Sequence, residues 1–168
     1  MFINGSAEQP KTLILGIGNT LLSDEGIGVH VLTDLEKSSS PVLENVTTMD
    51  GGTLSFTLAS PIENCDQFIV IDATELKSDP GTVKTFENQE MDEYITSGNK
   101  KSVHEVSLAD VMSITMLSGH LPEKRALVGI QPQDIDWGEQ PTEAVSAAIP
   151  RAISEIESIL KRWSDESD

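Results

Sequence analysis

Four carboxylates in the chain each follow a segment that reads as a strand. Asp24 and Glu25 lie in "GIGNTLLSDEGIG" (16–28) behind the run "TLIL", Asp50 follows "VLENVTTM", and Asp72 ends "QFIVID". If these runs are neighbouring strands of one sheet, the acids gather at one rim. Carboxylates so placed repel one another unless a cation or a proton sits between them. The chemistry to expect is therefore that of a cation site. Around it stand Gly16, Gly18 and Asn19 after the first run, Gly51 and Gly52 after the second, Thr74 after the third, and Gln131 and Gln133 after the last. His104, in "KSVHEVSLADV", precedes a helical pattern, a position from which an imidazole can point back to the rim. His30 and His120 read as ordinary surface or hydrogen-bonded residues. The string "HEVSL" lacks the second histidine of the zinc-protease helix H-E-x-x-H.

Rival sites fail on particular residues. A dinucleotide fingerprint needs glycine at position 21, which is Leu21, and an acidic turn opposes a pyrophosphate. The chain has no G-K-[ST] of a P-loop and no G-x-S-x-G nucleophile elbow. A phospho-receiver domain shares the early acidic pair and the later aspartate, but it wants a lysine where "ALVGIQP" offers glutamine.

These residues must be positioned by alternating strands and helices. "KTLILGI" (11–17) is apolar throughout, as in a strand buried on both faces of a parallel sheet. Ile27, Val31, Leu32 and Leu35 recur at helical spacing between Glu25 and about Ser38, where "SSSP" breaks the pattern. A second strand is expected over 42–50 and a short helix within 53–64, interrupted or ended by Pro61. A third strand covers 67–74, and residues 78–87 read as a turn into an edge strand, of a pattern compatible with antiparallel pairing. Asn99–Ser102 is a polar loop, Glu105–Leu117 a helix, and 125–132 a buried strand closed by proline. A broad apolar stripe marks a helix from about Thr142 to Trp163. The pattern predicts one α/β domain over 1–168, with residues 1–10 a loose lead-in and 164–168 a frayed acidic tail. Its ligands are expected at the carboxyl ends of the strands.

Bulk properties narrow the partners. A formal charge of −17, without a basic stripe, disfavours nucleic acid and anionic membranes and favours cations or a basic protein surface. The single cysteine, Cys65, excludes an internal disulfide and reads as a packed or incidental thiol. The start "MFINGSAEQPK" lacks the basic and apolar regions of a secretion signal, and no apolar run reaches the ~20 residues that cross a bilayer. A cytoplasmic protein is expected.

Taken in order, "LGIGNTLLSDEGIGV", "MDGGT", "FIVIDA", "SVHEVSLADV" and "ALVGIQP" resemble the hydrogenase maturation endopeptidases, from about Lys11 to Trp163. The resemblance implies a three-layer sandwich around a mostly parallel five-stranded twisted sheet with one antiparallel edge strand. It implies metal ligation by Glu25, Asp72 and His104, each of which matches the family motif, and a functional role for Asp50. It implies that nickel arrives in the substrate, the precursor of a nickel-iron hydrogenase large subunit. The endopeptidase senses that nickel and removes a C-terminal peptide. Two carboxylates and an imidazole suit nickel or zinc without excluding manganese.

No serine or cysteine nucleophile with its base is visible, so hydrolysis would rest on metal polarisation or on general-base help from Asp50, Glu25 or Asp72. Asn19, Gly51 and Gly52 are candidates for substrate contact, and the glycines are equally required by tight turns. Asp24 or Ser23 is expected to cap the first helix. A non-catalytic metal-binding or chaperone module using the same three ligands is the alternative.

Overall fold

The computed structural model describes residues 8–97 and 107–167. Its centre is three parallel strands, β1 (Thr12–Ile17), β3 (Gln67–Ala73) and β5 (Lys124–Ile130). Their side chains alternate between two cores. Ile14, Ile69, Ile71, Val128 and Ile130 meet α1 (Ile27–Leu35) and α6 (Ile149–Asp165) on one face. Leu13, Leu15, Phe68, Val70 and Leu127 meet α2 (Ala59–Glu63), α3 (Gln89–Thr96) and α4 (Leu108–Leu117) on the other. Burial on both faces is what continuous apolar strands require. β2 (Val46–Gly52) adds in parallel beside β1, and β4 (Val83–Glu87) adds antiparallel beside β5, giving the order β2-β1-β3-β5-β4. The three-layer sandwich, the five strands and the single antiparallel edge strand match the expectation.

Several boundaries differ, for local reasons. A 3-10 turn, Ser23–Gly26, precedes α1, and the helix ends at Leu35. Residues Pro41–Leu43 form another 3-10 turn, so β2 starts at Val46 and runs on through Gly52. The stripe from Thr142 to Trp163 is two helices, α5 (Glu143–Ser146) and α6. Pro150, in the first turn of α6, has no N–H to donate, and its ring would clash with the carbonyl four residues back. The acidic tail is not frayed at its start: α6 continues to Asp165, and Lys124 Nζ donates to the carbonyl of Trp163 at 2.9 Å. α3 was not expected, because Met91 is its one buried apolar residue. It is fastened to β5 by the Arg125 guanidinium, whose Nε donates to Asp92 Oδ1 at 2.9 Å. No described helix is long and apolar enough to cross a membrane.

Candidate functional site

β1 lies between β2 and β3, so the chain leaves β1 toward one neighbour and later returns to the other. The crevice at such a reversal, outside the carboxyl ends of the strands, is where open α/β sheets hold ligands. Gly16 is in register with Asp50 of β2 and with Ile71 of β3. Asp50 and Asp72 thus stand on opposite sides of β1, with backbones on the order of 10 Å apart. Asp72 is buried, whereas Asp50 is exposed.

The turn after β1 sets the segment carrying Glu25 against β3. Gly18 has φ +130°, its N–H donates to the Gly52 carbonyl at 2.9 Å, and a Cβ there would lie 1.9 Å from the Glu25 carbonyl oxygen. Only glycine admits that conformation and that approach. Asn19 Oδ1 accepts from the Leu21 N–H at 2.9 Å, a local turn that Asn side chains favour. At Gly28 a Cβ would lie 2.2 Å from the Ile71 carbonyl oxygen, so the first turn of α1 sits directly on the sheet. The 3-10 turn packs against β3, the strand that carries Asp72, and Glu25 Oε2 is buried there.

Asp24 has a different task from the helix cap expected of it. Neither the 3-10 turn nor α1 has a side-chain cap. The Asp24 side chain is fully buried and reaches across to the loop after β5. Its Oδ2 accepts from the N–H of Gln133 at 2.9 Å and of Asp134 at 3.0 Å, and its Oδ1 from the N–H of Thr142 at 2.7 Å. The Thr142 hydroxyl lies 2.9 Å from Oδ2 and 3.1 Å from Oδ1. Ser23 does not cap either: its Oγ donates to the Asp136 carbonyl at 2.9 Å. Backbone donors of a distant loop have displaced the local helical ones, because a buried carboxylate is stable only when several donors surround it.

The other rim residues divide. Asp50 Oδ1 accepts from the Gly52 N–H at 2.8 Å, next to a bulge at which β2 gains one residue, Gly51, over β1. The buried Gln131 amide holds the chain after β3, its Oε1 accepting from the Leu76 N–H at 2.7 Å and its Nε2 donating to Glu75 Oε2 at 3.2 Å. Gln133 contributes its backbone N–H rather than its side chain. The Thr74 hydroxyl donates to the Asp72 carbonyl at 3.1 Å. His120 is exposed, and His30 is half-buried with no hydrogen bond to Nε2 among the described residues.

Cys65 is half-buried, its Sγ–H donates to the Ile62 carbonyl, and burial together with Asp66 pushes the thiol up to about 12. That thiol is inert, as expected from the sequence. Glu25 and Asp72 supply hard oxygen donors from two separate elements, a set that suits a divalent ion. Among the described residues no group of three His, Cys, Asp or Glu side chains could hold a metal ion, and the third ligand implied by the resemblance, His104, lies outside them.

One feature of the rim escaped the sequence reading. Leu21, Ile135 and Trp137 are 48%, 58% and 82% exposed on segments that pair beside the 3-10 turn. The signal was present in "DIDWG", where two large apolar residues alternate with acids in a loop.

A family model described as hydrogenase maturation protease matches residues 29–159. The hydrogenase expression/formation protein HupD of Rhizobium leguminosarum bv. viciae is 38% identical over 160 residues, spanning 95% of this chain and 78% of that protein. The hydrogenase 2 maturation protease of Escherichia coli K12 is 35% identical over 152 residues, spanning 90% of this chain and 91% of that protein. Among solved structures, the hydrogenase maturating endopeptidase HybD from E. coli superposes with a TM-score of 0.82 at 35% identity, over 90% of this chain and 93% of that one. An archaeal neighbour, the [NiFe] hydrogenase maturation protease HybD from Thermococcus kodakarensis, gives a TM-score of 0.74 at 25% identity. With a family model matched over residues 29–159 and relatives 38% and 35% identical over 90% or more of it, the chain belongs to the hydrogenase maturation protease family, a family of peptidases.

Proposed function

We propose that this protein is the endopeptidase that removes a C-terminal peptide from the nickel-loaded precursor of a nickel-iron hydrogenase large subunit, acting in the cytoplasm. What supports the reading is that the 3-10 turn carrying Glu25 packs against β3, the strand that carries Asp72, in a chain of this family. These two carboxylates, with His104 as the third ligand, grip the nickel that the precursor brings. That ion is part of the substrate; zinc or another divalent ion would substitute in the isolated protein. Recognition through a bridging ion makes cleavage conditional on loading, since an empty precursor gives the carboxylates nothing to hold.

Asp50 takes the proton of the attacking water; its exposure near the end of β2, with one oxygen engaged by Gly52, supports that role. Gly18 and Gly52 join the two loops that border the crevice, and Asn19 shapes the first of them, so substrate contact by Asn19, Gly51 and Gly52 would be made through a fixed backbone.

The test is a processing assay. Purified, nickel-loaded precursor is incubated with this protein and weighed by mass spectrometry. Loss of a C-terminal peptide from loaded precursor, and none from nickel-free precursor, is the expected result. Metal-dependent binding with no loss of mass would replace the endopeptidase with a metal-binding chaperone.

A further inference from the structure

The loop after β5 carries an arrangement that ligation of a metal does not call for. Asp24 fixes it through three backbone N–H donors, and three further backbone ties run alongside. The Ser23 N–H donates to the Gly138 carbonyl at 2.7 Å, and the Gly138 N–H donates to the Leu21 carbonyl at 2.9 Å. The Asp24 N–H also donates to the Asp134 carbonyl at 3.0 Å. Residues 134–138 are therefore laced to residues 21–24, immediately before Glu25. This is a rigid segment, and what it displays is apolar: Trp137 at 82% exposure, Ile135 at 58%, and Leu21 at 48% on the strand of chain it is laced to.

Exposed Trp on a fixed backbone loses little entropy on binding, which is why such residues dominate interaction energies. The charge of its own loop has one sign. Residues 131–148 include Asp134, Asp136, Glu139 and Glu143 and no lysine or arginine. A ledge of this kind repels most acidic surfaces and fits an apolar segment flanked by basic side chains.

We propose that Leu21, Ile135 and Trp137 form the docking ledge for the precursor polypeptide, which seats an apolar segment flanked by lysine or arginine beside the crevice. The inference rests on the function proposed above. Asp24 is the buckle of this ledge: it sets the height of the ledge relative to Glu25, so a seated chain is delivered to the carboxylates in register. Continuity with the crevice favours the precursor over a second copy of this chain as the occupant.

Binding and cleavage are measured separately for the full-length protein and for the double variant Ile135→Ala/Trp137→Ala. Both side chains are exposed, so the melting temperature should not move. Biolayer interferometry against immobilised nickel-loaded precursor should show at least about tenfold weaker binding for the variant, the loss of one well-placed aromatic anchor. In cleavage assays KM should rise by a similar factor with kcat retained, and Asp134→Lys/Asp136→Lys should weaken binding too.

Equal affinity of wild type and Ile135→Ala/Trp137→Ala for the precursor overturns the ledge, even if cleavage by the wild type is efficient. Wild type that binds through the ledge but leaves the precursor mass unchanged overturns the endopeptidase reading instead. If light scattering shows a dimer that the variant loses, with precursor binding unaltered, the ledge is a self-association face and the proposal fails.

Discussion

Asp24 accepts from both the backbone N–H and the hydroxyl of Thr142, a residue 118 positions further along the chain. The same carboxylate takes two more backbone N–H donors from Gln133 and Asp134. Asparagine is not conservative here, because either orientation of its amide turns an NH2 group toward a backbone N–H. Asp24→Asn should cost about 2–4 kcal/mol, from buried donors left without acceptors. The melting temperature should fall by roughly 5–15 °C. Thr142→Val, which removes the hydroxyl and keeps the N–H, should cost only about 1 kcal/mol. Calorimetric melts of the two variants check the ranking, and equal losses would contradict it.

Gly28→Ala tests how closely α1 sits on the sheet. The added methyl would lie 2.2 Å from the Ile71 carbonyl and 2.4 Å from that of Ile17, both backbone atoms that cannot swing aside. The helix must lift, at a cost of about 3 kcal/mol or more. Glu25 should move with it, so cleavage of the precursor should fall further than the melt alone would suggest. Unimpaired processing at a temperature where the variant is folded would separate α1 placement from the site.

Glu25→Gln keeps the shape of the side chain and removes its charge. Processing of nickel-loaded precursor should drop at least about tenfold, as expected for loss of a ligand charge. Asp24 cannot take its place, since its oxygens are committed to the Gln133, Asp134 and Thr142 donors. Undiminished cleavage by Glu25→Gln in the mass-spectrometric assay would remove Glu25 from the site.

Cys65 gives a prediction at high pH. Its folded thiol is pushed up to about 12 from 9.0, mainly by burial. The contribution is thus complete below about pH 9 and is lost as pH rises toward 12, because only the unfolded chain ionises in that window. Ellman's reagent should react with the native protein at pH 8 far more slowly than with free cysteine. A rate equal to that of the free thiol would show that the Ile62–Asp66 turn opens readily.

Ser107 and Asp110 form a reciprocal cap at the start of α4, Ser107 Oγ accepting from the Asp110 N–H and Asp110 Oδ2 accepting from the Ser107 N–H at 2.8 Å. Those hydrogen bonds from Ser107 hold the Asp110 carboxyl below the usual carboxylate range. The sign follows: the cap stabilises above about pH 4 and weakens as pH falls through the lowered value. Ser107→Ala should cost about 1 kcal/mol. Circular dichroism from pH 5 to pH 2 should show an earlier loss of helix in that variant; coincident curves would contradict the cap.

β1 and β3 were legible because each is a continuous apolar run, and Asp72 could be placed near the end of β3 by inspection. Glu25 was legible as one of two acids in a glycine-bounded turn. Which acid did what was not. The partners of Asp24 are backbone groups more than a hundred residues away, so local pattern favoured the nearer helix N–H groups. α3 was missed because one buried methionine makes no stripe, and α6 was overextended because Pro150 interrupts the backbone without interrupting the apolar spacing. Trp137 was passed over because an exposed side chain leaves no periodic trace.

The buckle at Asp24 reads main-chain amides at positions 133 and 134, and main chain is common to every residue except proline. The exposed side chains of Ile135 and Trp137 on that loop are consequently released from duty to the architecture. Ile135 and Trp137 can therefore be exchanged within the family while the turn beneath stays fixed. The face of the loop and the geometry of the turn before Glu25 can then diverge independently, with a single buried carboxylate as the partition between them.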